Sequence, residues 1–359
     1  MKTLTLVTEV SRPDRAELLR GETVGEHPRV LLFEDRLNAD MLAGSALRDA
    51  PPLRRLLYRV LGRYAGQVLE AYRRRRSYDA VLTWGEPLSL FFALLLKLTG
   101  SRTRHIALMY WISPPKKALL LKAVQSRIDR IITWSSVQRA FMINQLHIPA
   151  AKITMVRHPV DLQFWNPVDT PTDTICAVGN EMRDYPTLIG AMRGVDIPCH
   201  IAAKEIPAGA SHKLARISSI TEAWPLPSNV TIGPRSYREL RALYSRSRFV
   251  VIPLLPTDTD NGVRAALESM AMGKAVICSR VEGQVDVIGD GETGLLVPQG
   301  DPEALRTAIA YLWNHPEVAD AMGRAGRRRV EERHTFEQFV DAVKTVVEET
   351  MGERVLQPA

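Results

Sequence analysis

The sequence predicts an α/β protein of two doubly wound, parallel-sheet domains facing each other across a cleft. Three observations predict this. Short apolar, β-branched runs alternate with longer amphipathic runs along the whole chain, the pattern of parallel strands covered by helices on both faces. The alternation stops once, between Arg157 and Pro171, and then restarts. The chain has 359 residues, 45% hydrophobic and 24% charged, which is enough for two cores of ordinary size.

In the first half, Thr3–Thr8, Arg29–Phe33, Ala80–Thr83, His105–Tyr110, Arg130–Thr133 and Ile153–Val156 read as strands. Residues 9–28 read as a polar loop. Pro52–Arg75 reads as one long helix, because Leu53, Leu56, Leu57, Val60, Leu61, Tyr64, Val68 and Leu69 recur at helical spacing. Leu88–Leu98 is the next helix. Arg157-His158-Pro159 and Asn166-Pro167-Val168-Asp169-Thr170-Pro171 lose the periodicity and are proline-rich, which marks a linker.

Past the linker, strands are expected at Thr174–Val178, Cys199–Ala203, Val230–Ile232, Phe249–Ile252, Ala275–Cys278 and Leu295–Val297. Helices are expected at Pro186–Met192, Tyr237–Ser245, Val263–Met272, Pro302–Asn314, Pro316–Arg333 and Phe336–Thr350. The domain boundaries follow: 1–157, a hinge at 158–171, 172–334, and a final helical segment at 335–359. Ligands of such sheets bind beyond the carboxyl ends of the strands, so functional residues are sought there.

Charge is uneven. Residues 1–150 hold 24 Lys and Arg against 13 Asp and Glu, a net of +11, while the remainder nets −4. A basic half implies an anionic partner. Its densest part is Arg54-Arg55, Arg59, Arg63 and Arg73 to Arg76, interleaved with the leucines of the long helix. That is either a solvated helix face or a helix lying on anionic lipid. Nucleic acid is excluded as a partner, since no aromatic-basic stacking pattern accompanies the charge. The longest apolar run, Leu88 to Leu96, is too short to span a bilayer. Met1 to Val7 reads as a first strand rather than a secretory signal. Cys176, Cys199 and Cys278 are far apart and sit in apolar runs, so they read as buried reduced thiols. A cytoplasmic protein, at most peripheral to the inner face of the membrane, is expected.

The strand Phe249–Ile252 ends at Pro253 and runs into Thr257-Asp258-Thr259-Asp260-Asn261-Gly262, then a helix with Glu268, Met270, Ala271, Met272, Gly273 and Lys274. Asp260 and Glu268 stand eight apart. This resembles the E-x7-E signature of the retaining GT-B glycosyltransferases of family 4, the glycosyl transferases group 1. Ala271 to Ile277, Gly291 to Pro298, and the hinge Val156 to Asp161 with Phe164 and Pro167 are similar to that family as well. The resemblance covers roughly residues 125–350. It implies two Rossmann-like domains, with the last helix packing back toward the first. It also implies a nucleoside-diphosphate sugar donor, UDP-linked, bound by residues 172–330 and an acceptor bound by residues 1–155.

The chemistry suits that reading. A carboxylate accepts two hydroxyl hydrogens at once, so Glu268 fits ribose O2 and O3. A helix N-terminus offers unpaired N–H groups and positive dipole to phosphate, here through Asn261, Gly262 and Val263. Asp260 would meet sugar hydroxyls; the bland alternative makes it an N-cap and Glu268 a solvated helix residue. Gly179 opens the loop Gly179-Asn180-Glu181-Met182-Arg183-Asp184, where the family places G-R-x4-K to clamp the diphosphate. Here Asn180 stands at the arginine place, so Arg183 is the basic candidate. The plain alternative is an exposed Arg183 paired with Asp184 or Glu181. Arg235 is a weaker candidate for the nucleotide rim.

This sequence departs from the family in three ways. The first acid is Asp260 rather than glutamate. The acid of the G-x-x-E turn is Asp286, after Gly283. No histidine follows the strand that runs into Met109-Tyr110-Trp111, and His105 lies at its wrong end. Glu9 and Glu86 are carboxyl-end candidates that read as structural first. Asp258-x-Asp260 looks like a D-x-D metal motif but sits inside another signature, and His158, His200, His212, His315 and His334 lack metal-ligand spacing. No metal and no cofactor are expected. The rivals are a catalytically inactive nucleotide-sugar-binding subunit, a sugar-nucleotide epimerase and a phosphorylase. The acceptor is a hydroxyl of a saccharide, lipid or small natural product.

Overall fold

The computed structural model describes residues 1–205, 220–222 and 225–352. His212 and residues 353–359 of the expected last segment lie outside them. The chain forms two compact units: Met1–Thr23, Arg29–Arg157 and Glu337–Ala359 in the first, Val24–Pro28 and His158–Phe336 in the second.

The first unit carries a parallel sheet of β1 (Thr3–Leu6), β2 (Ala39–Leu42), β3 (Ala80–Trp84), β4 (His105–Leu108), β5 (Arg130–Thr133) and β6 (Ile153–Met155). Their spatial order is β2-β1-β3-β4-β5-β6. The run expected as a strand at Arg29–Phe33 is instead the start of a helix, Leu31–Leu37, and the strand follows at β2. An apolar run this short fits either element; here Leu31, Phe33 and Leu37 supply the buried side of a helix. Asn38, with φ of 47°, then turns the chain into β2. The expected polar loop contains a helix at Arg15–Val24. The long helix is two, Pro52–Leu61 and Arg63–Arg74, because Gly62 adopts φ of 85° between them. The helix from Phe336 to Gly352 carries Phe339, whose ring lies 5.7 Å from Trp84 and 6.4 Å from Phe33. Arg29 pairs with Glu337 at 2.7 Å in the same unit.

The second unit carries β7 (Thr174–Val178), β8 (Cys199–Ala202), β9 (Val230–Ile232), β10 (Ser247–Ile252), β11 (Ala275–Arg280) and β12 (Gly294–Pro298). They are all parallel, in the order β12-β11-β10-β7-β8-β9. Side chains alternate between two buried faces. Cys176, Val250, Ile252 and Cys278 enter one core, and Ile175, Ala177, Val251 and Ile277 enter the other. Burial pushes the Cys176 and Cys278 thiols up to about 12, so they behave as small apolar groups. The strand order reverses between β7 and β10. The region beyond the carboxyl ends of such a pair of strands is the usual ligand position of a doubly wound sheet.

Candidate active site

The loop after β7 is held by its own polar groups. Gly179 takes φ of 99°, which favours glycine, and a Cβ there would lie 2.8 Å from Arg183 Nη2, so a side chain would push the guanidinium aside. Arg183 curls back: its Nε donates to Val178 O at 2.8 Å and its Nη1 to Glu181 O at 2.7 Å. Tyr185 Oη donates to Gly179 O. Arg183 bridges to Leu254 beyond β10, and Leu255 N donates to Met182 O at 2.9 Å. The loops after β7 and β10 are thus joined at the switch point.

Arg183 is only 7% exposed, which removes the plain alternative of an exposed side chain. Its Nη1 bonds a main-chain carbonyl rather than the Glu181 or Asp184 carboxylate, and it makes no ion pair with any described carboxylate. A buried cation without a counter-charge is costly, and an arriving anion relieves the cost. Asn180, at the family's arginine place, fastens loops instead: its Nδ2 donates to Lys204 O at 2.8 Å and its Oδ1 accepts from Lys204 N at 3.1 Å.

The loop after β10 supplies the second half. Gly262, with φ of 89°, is the residue before the helix Val263–Ala271 and gives it no side-chain cap, so Asp260 is not the N-cap. A Cβ on Gly262 would lie 2.8 Å from Ile252 Cγ2 and 3.8 Å from Arg183 Nη1, which places this helix start beside the buried guanidinium. Asp260 is buried; Thr259 Oγ1 donates to its Oδ1 at 3.1 Å, and its carbonyl accepts from Val263 N at 3.0 Å. Asn261 Nδ2 donates to Thr257 Oγ1 at 3.0 Å. The turn after β11 clamps this loop: Gly283 N donates to Thr257 O at 3.1 Å, and Gln284 Nε2 to Asn261 O at 3.1 Å. Gly283 is pressed onto the main chain of Thr259 so closely that no Cβ would fit.

Glu268 is buried rather than solvated, and Tyr244 Oη donates to its Oε2 at 3.1 Å. Burial pushes its carboxyl up to about 7, against the opposing pull of the Arg264 charge and the Tyr244 bond. Tyr244 and Gln284 were not among the residues singled out from sequence. Gln284 had a signal, its place inside the Gly283 turn. Tyr244 had none, since one tyrosine on an amphipathic helix looks like core.

Gly179, Arg183, Gly262 and Val263 therefore converge on the β7–β10 switch point, with Asp260, Asn261 and Glu268 on the same loop and helix. Arg235 does not join them. It is exposed after the edge strand β9, and its Nη1 donates to Pro234 O at 3.1 Å.

In the first unit Glu86 is a brace. Its Oε1 accepts from Tyr110 N at 2.9 Å and Trp111 N at 2.7 Å, and Lys117 Nζ reaches its Oε2 at 3.2 Å. His105 is fully buried at the start of β4, hydrogen-bonded to Thr83 Oγ1 at 2.9 Å, and burial holds its imidazole down near 4.

The comparisons bear on this arrangement. The family model for glycosyl transferases group 1 matches residues 174–329, the segment that contains every residue of the converging set. The lipopolysaccharide core biosynthesis mannosyltransferase LpcC of Rhizobium leguminosarum is 25% identical over 74% of this chain and 73% of its own length. Other curated glycosyltransferases match over about a third of their lengths. Sucrose-phosphate synthase from Thermosynechococcus elongatus superposes with a TM-score of 0.76 at 19% identity, over 98% of this chain and 99% of its own. HepE from Anabaena, solved in complex with UDP-glucose, gives 0.71 at 14% identity over 98% and 100%. These neighbours give the chain the GT-B fold.

Proposed function

We propose that the protein is a retaining glycosyltransferase that moves a sugar from a UDP-linked donor to an acceptor hydroxyl without a metal ion. The observation that carries the reading is the buried, carboxylate-free Arg183 beside the N-terminus of the helix Val263–Ala271. A guanidinium beside a helix N-terminus, beyond the carboxyl ends of the strands, supports a diphosphate as the ligand. The UDP-glucose held by HepE supports the choice of nucleotide.

In this reading Glu268, steadied by Tyr244, accepts the ribose hydroxyls. Asp260 and the Asn261-Gly262-Val263 main chain meet the sugar and the phosphates. As the glycosidic bond breaks, negative charge grows on the departing phosphate, and Arg183 with the helix N-terminus stabilises it. The acceptor oxygen bonds the anomeric carbon on the face that the phosphate leaves, and its proton passes to the departing phosphate oxygen, so configuration is retained. A cation at Arg183 supplies the charge that other transferases take from a metal.

A calorimetric screen of nucleotide sugars, followed by mass analysis of donor-acceptor mixtures, tests this. Sugar transfer that persists in EDTA is expected. Transfer abolished by EDTA and restored by magnesium or manganese would return Asp258 and Asp260 to a metal-binding role.

A further inference from the structure

Leu53, Leu56, Leu57, Val60 and Leu61 repeat at i, i+3, i+4, i+7 and i+8, the stripe that normally turns a helix toward a core. Here the stripe faces out. Leu53 is 81% exposed, Leu56 56% and Val60 76%, with Leu57 and Leu61 also exposed. The residue that is buried is Tyr58. Its Oη donates to Glu70 Oε2 at 2.8 Å, and Arg54 Nη1 reaches the same oxygen at 3.4 Å. Glu70, held at about 2 chiefly by Arg73, is therefore the anchor that fixes the roll of this helix. At about 100° per residue, the leucine stripe lies on the side away from Tyr58.

The charge around the stripe has one sign. Residues 50–69 contain Arg54, Arg55, Arg59 and Arg63 and no acidic residue. Among the described residues Arg55 bonds the Ala50 carbonyl and no acid, and Arg59 pairs with no acid. The run from Arg73 to Arg76 differs, because most of it is occupied. Arg73 and Arg74 hold Glu70, and Arg75 lies 3.5 Å over the Tyr72 ring. Leucines on a helix that also carries Arg55 and Arg59, neither paired with a described acid, fit a surface that is apolar below and anionic above. A protein groove would take the stripe without needing a net of +11 spread over residues 1–150.

We propose that the helix Pro52–Leu61 docks flat on an anionic lipid bilayer, its leucines entering the acyl boundary and Arg55 and Arg59 meeting the headgroups. The inference rests on exposure and charge in the first unit and stands apart from the donor reading.

The test is flotation of the full chain with vesicles of phosphatidylcholine alone and of phosphatidylcholine mixed with phosphatidylglycerol. The mixed vesicles should bind at least about 10-fold more strongly, and salt should weaken the binding. Arg55→Gln and Arg59→Gln should each cost about five-fold. Leu53→Glu with Val60→Glu should cost more, while thermal unfolding and UDP affinity stay as in the wild type. Equal or absent binding to both vesicles would overturn the proposal, as would variants that float like the wild type. So would a wild-type dimer that Leu53→Glu and Val60→Glu dissociate with no vesicle binding, which would assign the face to a second copy. The lipid and salt dependence of the unmodified chain decides the matter even if a variant fails to fold.

Discussion

Tyr244 Oη donates a 3.1 Å hydrogen bond to Oε2 of Glu268, and both side chains are buried. Tyr244 belongs to the helix Tyr237–Arg246 that leads into β10, and Glu268 to the helix that follows β10. One strand thus holds donor and acceptor in register. Tyr244→Phe removes a hydrogen bond to a carboxylate, worth about 1.5–3 kcal/mol where the carboxylate is charged. UDP affinity should fall about 10-fold or more at neutral pH, with the fold retained. Unchanged UDP affinity by calorimetry would separate Tyr244 from the nucleotide.

Glu268 also makes stability depend on pH. Its carboxyl sits near 7 in the folded chain against an ordinary 4.5, so between those values the folded state keeps a proton that the unfolded state has released. Stability from this group is therefore fully present below about 4.5, falls as pH rises toward 7, and is flat above. Glu268→Gln removes the cost and should be more stable than the wild type above pH 7, by up to roughly 3 kcal/mol. Urea unfolding at about pH 5 and pH 8 measures it. A difference between the two proteins that is the same at both pH values would contradict the assignment. Wild-type UDP binding should strengthen over the same rise, as the carboxylate forms.

Arg183 should act mainly as the donor breaks. Arg183→Gln should lower kcat by about 100-fold while changing the donor KM far less, because the charge it meets develops in the transition state. Inorganic pyrophosphate should raise the melting temperature of the wild type and leave the variant unmoved. A variant that loses affinity but keeps kcat would make Arg183 a ground-state anchor only.

The doubly wound character of both units was legible because buried parallel strands are short apolar runs between helical ones. β7 and β9 lie at their expected bounds. Legibility failed where local sequence serves two structures. Leu31 to Phe33 is apolar enough for a strand, yet Asn38 in the left-handed region ends a helix there. Gly62 reads as a tolerated helix residue until its φ of 85° shows a break. At the candidate site, the signature spacing pointed to the loop after β10, Gly262 pointed to the close approach there, and the family's loop pattern pointed to Gly179. The burial of Arg183 and the Tyr244–Glu268 bond depend on contacts across 70 to 80 residues or between separate helices, which spacing along the chain does not encode.

Calorimetric titration of UDP into the wild type and Glu268→Ala tests the central claim most directly. Loss of a charged hydrogen bond to the ribose predicts an affinity about 10- to 100-fold weaker in the variant, for UDP and for a UDP-sugar alike. Equal affinity of UDP for the two proteins, or no UDP binding by the wild type, would contradict the account.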